Sequence, residues 1–258
     1  MPSPSPTSSP LRAFAEAPGA FLYYAPGVEI VDRAGYHAVV VGGGRYVNVS
    51  RLRFDPAEAA DVLDEVHALA PTGTASWITP SRELVDALRE AGARDPEPPL
   101  EPAFTALATD REPARVEGIE IRRVETYDGF LAGLEIQLAS GGYTEEGAAR
   151  RRKEAPDAYA RRRQRPGGEW LACLDGEAVA WAGAVAGTVG LFLDGGATLP
   201  AARGRGAYRA LVRARWDYAV ELGTPMLAVH AQERSRGILE RCGFEVVCTM
   251  YELESSPH

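Results

Sequence analysis

Hydrophobic residues in the first half of the chain follow a strand pattern and then a helix pattern. Residues 38–41 and 45–49 are rich in valine and flank three consecutive glycines, which can adopt the positive φ angles of a tight turn and so predict a β-hairpin. Asp55 and Pro56 have the residue types of an N-cap and a first helical residue. The apolar residues at helical spacing after them are Ala59, Val62, Leu63, Val66 and Leu69. Further patterns predict a strand at 74–78, a helix at 81–91 and a strand at 104–109.

The second half contains more strands and one strongly patterned helix. Apolar segments predict strands at 119–124, 170–174, 178–186, 189–199, 226–231 and 244–253. Helical patterns predict helices at 127–139, from Thr144 onward, at 205–222 and at 235–242. Glu146 and Arg150, like Asp157 and Arg161, are spaced as favourable i,i+4 pairs. The arginine-rich segment 150–163 is therefore interpreted as a solvated helix face, with a phosphate-binding groove as the alternative.

Local composition divides the chain into segments. Residues 1–10 are rich in proline and serine and predict a disordered lead. The segment 111–118, which contains Arg111-Glu112-Pro113, has the composition of a linker. We therefore predict two domains, at 11–110 and at 119–258.

Composition and charge argue against several classes of protein. The net charge of −8 over 258 residues leaves no surplus of cations to neutralise phosphates, so a nucleic-acid partner is not expected. The longest uncharged run, 178–193, is shorter than the roughly 20 residues of a membrane span, and the lead lacks the features of a signal peptide. The three cysteines form neither a disulfide framework nor a zinc-binding pattern, so no metal is expected. A cytoplasmic protein without a membrane partner fits these features.

The segment 198–208, TLPAARGRGAY, carries the most informative chemistry. It lies between a predicted strand and the start of the predicted helix 205–222. Unpaired N–H groups at a helix N-terminus, together with the helix dipole, form an anion site, and glycines let a phosphate approach the backbone. A Walker loop would need Gly-Lys-Ser/Thr, and a Rossmann loop would lie in a first βα unit with an acidic residue about 20 positions later. The sequence has neither feature.

This loop resembles the pyrophosphate loop of the GNAT superfamily of acyl-CoA-dependent N-acyltransferases, whose pattern is R/Q-x-x-G-x-G/A. Arg203 and Gly206 match its first and fourth positions. Downstream, Gly243-Phe244 resembles the pair that ends the last helix of the family. The resemblance spans about 119–253. It implies an α+β fold, with a mixed, mostly antiparallel sheet flanked by helices, and acetyl-CoA as co-substrate.

The resemblance also implies where the cofactor binds. The strand that ends near Leu199 would splay from the strand at 226–231, and the pantetheine arm would lie in the gap. Free backbone groups of Ala197 and Leu199 would pair with the pantetheine amides, and Gly195-Gly196 fits a β-bulge. The residues implied in cofactor binding are Ala197, Thr198, Leu199, Arg203, Gly204, Arg205, Gly206, Ala207 and Tyr208.

Two residues depart from the family pattern. Tyr208 occupies the last small position of the loop, where it would crowd the phosphates. Leu239 stands where many members have a tyrosine that protonates the departing thiolate. Because a thiol with a pKa of about 8.5 leaves tolerably well without help, losing this acid slows transfer without forbidding it. Tyr208, Tyr251 and Cys242 are weak substitutes.

Acyl transfer to an amine also needs a proton acceptor and an oxyanion donor. Some members place a glutamate on the cofactor strand where this chain has Phe192, and Asp194 lies two residues further on the same strand face. Asp194 is the first candidate base, with a turn or capping role as the alternative. His230 and Glu145 or Glu146 follow, and a backbone N–H near Ala197 is the candidate oxyanion donor.

The first half echoes the later part of the acyltransferase domain and is interpreted as a degenerate GNAT-like repeat. Its connection at 51–55 is short and lacks glycine, so no phosphate loop can form there. We expect this half to complete a shared sheet or to wall the acceptor cleft. The acceptor would be a primary amine of a small molecule or peptide, and the protein a monomer or homodimer. A non-catalytic acyl-CoA-binding module is the alternative, and a nucleotide-binding oxidoreductase ranks third.

Overall fold

A computed structural model of the chain describes residues 9–97 and 103–257. Its helices are α1 Pro10–Glu16, α2 Ala59–Leu69, α3 Arg82–Glu90, α4 Tyr127–Ala139, α5 Glu145–Lys153, α6 Ala155–Gln164, α7 Ala207–Glu221 and α8 Glu233–Arg241. Its strands are β1 Glu29–Asp32, β2 His37–Val41, β3 Tyr46–Ser50, β4 Thr74–Thr79, β5 Ala103–Thr109, β6 Glu120–Arg123, β7 Gly167–Leu174, β8 Glu177–Ala186, β9 Leu191–Thr198, β10 Leu227–Ala231 and β11 Glu245–Ser255.

All of these strands belong to one sheet, in the order β1-β2-β3-β4-β11-β5-β10-β9-β8-β7-β6. The pairs β3/β4 and β9/β10 are parallel, and the other neighbours are antiparallel. The predicted α+β class, a mixed and mostly antiparallel sheet flanked by helices, is confirmed. The sheet is continuous across both halves of the sequence, as expected for a first half that completes a shared sheet.

The two halves exchange their last strands at the centre of the sheet. β5 follows α3 in the first half, yet it pairs with β10 and β11, whereas β11 pairs with β4 and β5. The buried side chain of Leu107 on β5 accordingly belongs to the core around α7. Leu253 on β11 belongs to the core around α2 and α3. Each half therefore completes the hydrophobic core of the other.

Short polar side chains start most of the long helices. Asp55 and Glu58 form a capping box in the 3-10 turn before α2. The side-chain oxygens of Ser81, Thr126 and Thr144 accept hydrogen bonds from the first turns of α3, α4 and α5. One helix was expected from Thr144 onward, but it divides at Glu154 into α5 and α6. Pro156 accounts for this break because it has no N–H to bond the preceding turn.

Two segments that composition marked as irregular, the end of the lead and the linker 111–118, make defined contacts. Of the expected disordered lead, residues 1–8 lie outside the described residues, whereas Ser9 caps α1 and Pro10 begins it. The expected linker 111–118 joins β5 to β6. It is held against α7, where Arg213 pairs with Glu112 and donates a hydrogen bond to the carbonyl oxygen of Pro113 at 3.0 Å. The division into two domains stays a prediction.

None of the helices in residues 9–97 and 103–257 is long and apolar enough to cross a membrane. Across the same residues, His, Cys, Asp and Glu side chains form no group of three that could hold a metal ion.

Candidate functional site

The parallel strands β9 and β10 separate shortly after they begin. They pair only at Leu191 with Leu227 and at Phe192 with Ala228. Further along, β9 stays with β8 as far as Thr198, and β10 stays with β5. The strands therefore diverge and leave one edge of β9 unpaired, as the family resemblance implied.

The unpaired backbone groups on this edge differ from the predicted ones. The N–H of Leu199 donates to the carbonyl oxygen of Val179 on β8 at 2.9 Å, and its own carbonyl oxygen accepts from Ala202 at 2.9 Å. Strand alternation turns the backbone groups of Ala197 toward β8 as well. The prediction that Leu199 has free backbone groups is wrong, and the same alternation applies to Ala197. Gly196 and Thr198 are the residues whose backbone groups face the gap.

The loop after β9 is built to leave helix N–H groups free. Gly204 has φ 78° and Gly206 has φ 91°, conformations that side chains disfavour. Gly206 is the N-cap of α7, and no side chain caps this helix, unlike α3, α4 and α5. The first N–H of α7 to be bonded within the helix is that of Ala210, which donates to Gly206. The N–H groups at 207–209 thus have no partner within the helix and lie at the positive end of the helix dipole, where Arg209 is exposed, Tyr208 is partly exposed and Ala207 is buried. Such a helix N-terminus can bind an anion.

The two arginines of the loop make different contacts. Arg203 donates to the carbonyl oxygens of Thr198, at 3.4 Å, and Ser140, at 3.1 Å, and so ties the loop to the end of α4. Arg205 is exposed and lies 3.9 Å from Asp175. Arg203 therefore fixes the shape of the loop, whereas Arg205 is available to an anion.

Tyr208 points away from the phosphate site. A β-carbon on Gly196 would lie 2.6 Å from Cε2 of Tyr208, so the ring is packed beneath β9 in space that Gly196 leaves open. The expectation that Tyr208 crowds the phosphates is wrong, because the side chain turns inward while the backbone N–H stays in the first turn of α7.

A β-bulge lies in the middle of β9, at the Gly195-Gly196 pair where the family resemblance implied one. Gly195, with φ 77°, is the extra residue, since Ala182 on β8 opposes Gly196 while Gly183 opposes Asp194. The bulge presents Asp194 on the sheet face opposite α7. The side chain of Asp194 is 36% exposed there, so an acceptor can reach it.

Asp194 belongs to a charge cluster that also contains Glu169, Arg162 and Arg165. Arg165 lies 2.9 Å from Oδ2 of Asp194, and Arg162 lies 3.5 Å from the same atom and 2.9 Å from Oε1 of Glu169. Glu169, Gly183 and Asp194 are neighbours across three strands. The guanidinium of Arg162 lies over Gly183, where a β-carbon would be 3.5 Å from its Nη1, and it contacts both carboxylates.

Glu169 is the functional candidate that sequence reasoning missed. Its side chain is only 9% exposed. Burial raises the pKa of Glu169 above its ordinary value, and the Arg162 guanidinium opposes this shift. The available sequence signal was the position of Glu169, a single acid between the two glycines at 167–168 and the apolar segment 170–174. Asp194 remains the carboxylate of the cluster that is open to solvent.

His230 is held away from this cluster. Its Nε2 lies 2.8 Å from the carbonyl oxygen of Ala15 and donates to it, and its ring contacts those of Phe104 and Phe192. Burial lowers the pKa of His230 to about 4, so the imidazole is neutral at pH 7. These contacts fit a residue that tethers α1 to β10. A role in proton transfer stays an untested prediction.

This shift predicts a stability change with pH. The unfolded chain protonates His230 near its ordinary pKa of 6.5, whereas the folded protein resists protonation down to about 4. The contribution of His230 to the free energy of unfolding is therefore present above pH 6.5 and is lost between pH 6.5 and 4, by about 3 kcal/mol. His230→Gln keeps a donor for Ala15 and should remove this part of the slope. Urea unfolding at several pH values would test it, and equal slopes in parent and variant would contradict it.

Glu145 and Glu146 are exposed in the first turn of α5. No contact among the described residues joins either of them to the charge cluster. Glu146 and Arg150 were spaced to form an ion pair, as were Asp157 and Arg161. Neither pair is present among the ion pairs of residues 9–97 and 103–257.

A groove of about 330 Å³ lies between α4, α5 and α6. Its charged lining consists of Arg150, Arg151, Arg161, Arg162 and a single acid, Glu154. Its apolar wall includes Phe130, Leu134 and Ala158. Arg162 lines the groove and also contacts Asp194, so this one side chain connects the groove to the charge cluster.

Comparison with known proteins agrees with this geometry. Residues 136–244 match the family model described as the acetyltransferase (GNAT) family. A GCN5-related N-acetyltransferase from Kribbella flavida is 18% identical, with 97% of each chain covered and a TM-score of 0.67. A tandem GNAT protein from the clavulanic acid biosynthesis pathway is 14% identical over 90% of this chain and 84% of its own, with a TM-score of 0.57.

A putative acetyltransferase of the GNAT family from Novosphingobium aromaticivorans is 16% identical, covers 98% of this chain and 99% of its own, and has a TM-score of 0.55. At these identities the structures share the fold. No curated protein matches the sequence.

Proposed function

We propose that this chain, whose residues 136–244 match the GNAT acetyltransferase family model, transfers an acetyl group from acetyl-CoA to a primary amine by direct attack. One observation carries the proposal. The two parallel strands diverge immediately before a helix whose N-terminus is open, uncapped and preceded by two glycines at positive φ. A gap that accepts a pantetheine arm thus leads into a site for its pyrophosphate.

The backbone supplies most of the cofactor contacts in this proposal. The N–H groups at 207–209 and the Arg205 side chain bind the pyrophosphate. The backbone groups of Gly196 and Thr198 pair with the pantetheine amides, much as an added strand would. One of these N–H groups also faces the oxyanion that forms at the thioester carbonyl.

The chemistry requires an amine that has lost its proton. The nitrogen lone pair attacks the thioester carbon, and the carbonyl π electrons move to oxygen. When they return, the carbon–sulfur bond breaks and its electron pair leaves on the thiolate. The nitrogen then gives up its remaining extra proton to the thiolate or to water, which leaves a neutral amide. Asp194 lies on the open face beside the bulge, where it attracts the ammonium form of the acceptor and takes its proton directly or through water. Arg162 and Arg165 hold the Asp194 carboxylate in place.

The groove beside Asp194 supports one class of acceptor. It carries four arginines and one glutamate on a chain whose net charge is −8, and an apolar wall lies beside them. An amine that also bears a carboxylate or phosphate would place its anion against Arg150 and Arg161 and its nitrogen toward Asp194. The N-terminal half, a degenerate repeat in this proposal, completes the sheet and has no cofactor site of its own.

Asp194→Asn should lower kcat by roughly 10² while leaving the affinity for acetyl-CoA unchanged, since general-base contributions are of this size. The measurement is thiol release against pH with a panel of amines, including matched amines with and without a carboxylate. Asp157→Asn is the control, because it makes the same substitution at an exposed residue in the first turn of α6 and should leave kcat unchanged. An Asp194→Asn enzyme with parental kcat would exclude the carboxylate as the proton acceptor.

The leucine at position 239 also fits a second function, that of a non-catalytic acyl-CoA-binding module. A chain that binds acyl-CoA without transferring the acyl group does not need a proton donor at that position. Saturable acetyl-CoA binding with no thiol release across the amine panel would favour this non-catalytic module.

A further inference from the structure

Glu169 is a buried carboxylate in an otherwise apolar stretch of β7. Its side chain is only 9% exposed, and the residues after it, 170–174, are all buried. Burial raises the pKa of Glu169, and the charge of Arg162 and a hydrogen bond from the Trp181 side chain oppose this shift. A buried carboxylate costs free energy even when it is paired, and an apolar residue of similar volume often stabilises a fold more. Stability alone therefore gives little reason for a glutamate at this position.

The ion-pair partner of Glu169 is Arg162, whose guanidinium is enclosed on three sides. Its Nη1 lies 2.9 Å from Oε1 of Glu169, and a β-carbon on Gly183 would lie 3.5 Å from the same nitrogen. The guanidinium carbon lies 5.8 Å from the centre of the Trp181 ring. Nη1 also lies 3.5 Å from Oδ2 of Asp194. One nitrogen atom thus faces two carboxylates, and Glu169 is the nearer of them.

Asp194 has its own close partner in Arg165, which lies 2.9 Å from Oδ2. The charged groups that face Asp194 are Arg162 on α6, Arg165 after it, Glu169 on β7 and, from the other side of the sheet, Arg215 on α7. In the open cluster, the charges of Arg162 and Arg165 are balanced by those of Glu169 and Asp194. If the charge of Glu169 were removed, Arg162 would act on Asp194 alone, in addition to Arg165.

We propose that Glu169 is a positioning residue of the acceptor site, which holds Arg162 and thereby leaves the Asp194 carboxylate to the ammonium group of the acceptor. This inference rests on the proposed function. An Arg162 that was not neutralised would repel the ammonium. It would also stabilise the ionised form of Asp194 and so make it a poorer proton acceptor. Glu169 opposes both effects through Arg162, without contacting the substrate itself.

The titration of the Asp194 carboxyl group tests the proposal without cofactor or acceptor. The full chain is labelled with carbon-13 in its aspartate carboxyl groups, and Asp194→Asn identifies the signal of Asp194. Glu169→Gln should move this titration to lower pH by at least about half a unit, the size expected for a nearby charge that solvent partly screens. Arg162→Gln should move it to higher pH. The double variant Glu169→Gln/Arg162→Gln should return it close to its parental position, because the two removed charges cancel.

Glu177→Gln is the matched control, since Glu177 is exposed at the first position of β8, about 20 Å along the strand from Gly183. It should leave the titration of Asp194 unchanged. An unchanged or higher titration in folded Glu169→Gln would overturn the proposal. Where that variant does not fold, an unchanged or lower titration in Arg162→Gln would do the same.

The amine panel supplies a second readout. In Glu169→Gln, KM for the amine should rise several-fold while the affinity for acetyl-CoA stays parental, because Glu169 acts on the acceptor and not on the cofactor loop. A parental KM for the amine would contradict the inference. The two claims fail separately. Absent thiol release from the parent across the panel contradicts the proposed function, whereas turnover combined with an unmoved Asp194 titration contradicts only the role of Glu169.

Discussion

Replacing Gly206 with glutamate should abolish acetyl-CoA binding and leave the protein folded. Gly206 caps α7 at φ 91°, directly before the open N–H groups. A side chain there is strained, its β-carbon would lie 3.0 Å from Val116, and its carboxylate would repel the pyrophosphate at the one place where the phosphates can reach the backbone. We expect at least a 100-fold loss of affinity, which corresponds to about 2.7 kcal/mol.

Gly223→Glu is the matched control for this variant. Gly223 lies just beyond the other end of the same helix, at φ 75°, so the substitution introduces similar backbone strain and the same charge. It should bind acetyl-CoA with parental affinity. Parental affinity in a folded Gly206→Glu protein, or an equal loss in Gly223→Glu, would remove the basis for assigning the loop to the cofactor.

Truncating the exchanged strands should destabilise the whole chain in one transition. Leu107→Ala on β5 and Leu253→Ala on β11 each remove a fully buried leucine, at a cost of about 2–5 kcal/mol. Each leucine belongs to the hydrophobic core of the opposite half. Both variants should therefore lower a single melting transition, and Leu107→Ala should destabilise the hydrophobic core around α7 although Leu107 lies outside the family match at 136–244.

Calorimetric and spectroscopic melting curves would test this prediction. Leu222→Ala is the control, because Leu222 is 44% exposed and its truncation should cost little. Two separate transitions, with Leu107→Ala shifting only one and Leu253→Ala only the other, would show that the halves fold independently despite the shared sheet.

Local signals in the sequence predicted most elements, and long-range pairing accounts for most of what they missed. The hairpin at 37–50, the capped helices and the strands β7 to β10 carry their own periodicity and turn residues. The short α1 and β1 have too few residues for a detectable period. The exchange of β5 and β11 was not predictable, because their alternation specifies a buried strand without naming its neighbours.

The candidate site divides in the same way. The loop glycines could be found because positive φ and a helix start are local requirements. The hydrogen bonds of Leu199 depend on the register between β8 and β9, and the inward turn of Tyr208 depends on Gly196 across the strand. Glu169 and Arg162 meet only because three strands and α6 bring them together. A single sequence carries no record of these contacts.

A calorimetric titration of the purified chain with acetyl-CoA tests the central claim most directly, with ATP and NAD as comparison ligands. One binding site is expected per chain, since among the described residues the helices α7 and α8 follow the diverging strands, and α7 alone is preceded by glycines at positive φ. Acetyl-CoA should bind more tightly than either nucleotide, because they lack a pantetheine arm to fill the gap. No saturable binding of acetyl-CoA, two sites per chain, or equal affinity for ATP would contradict the account.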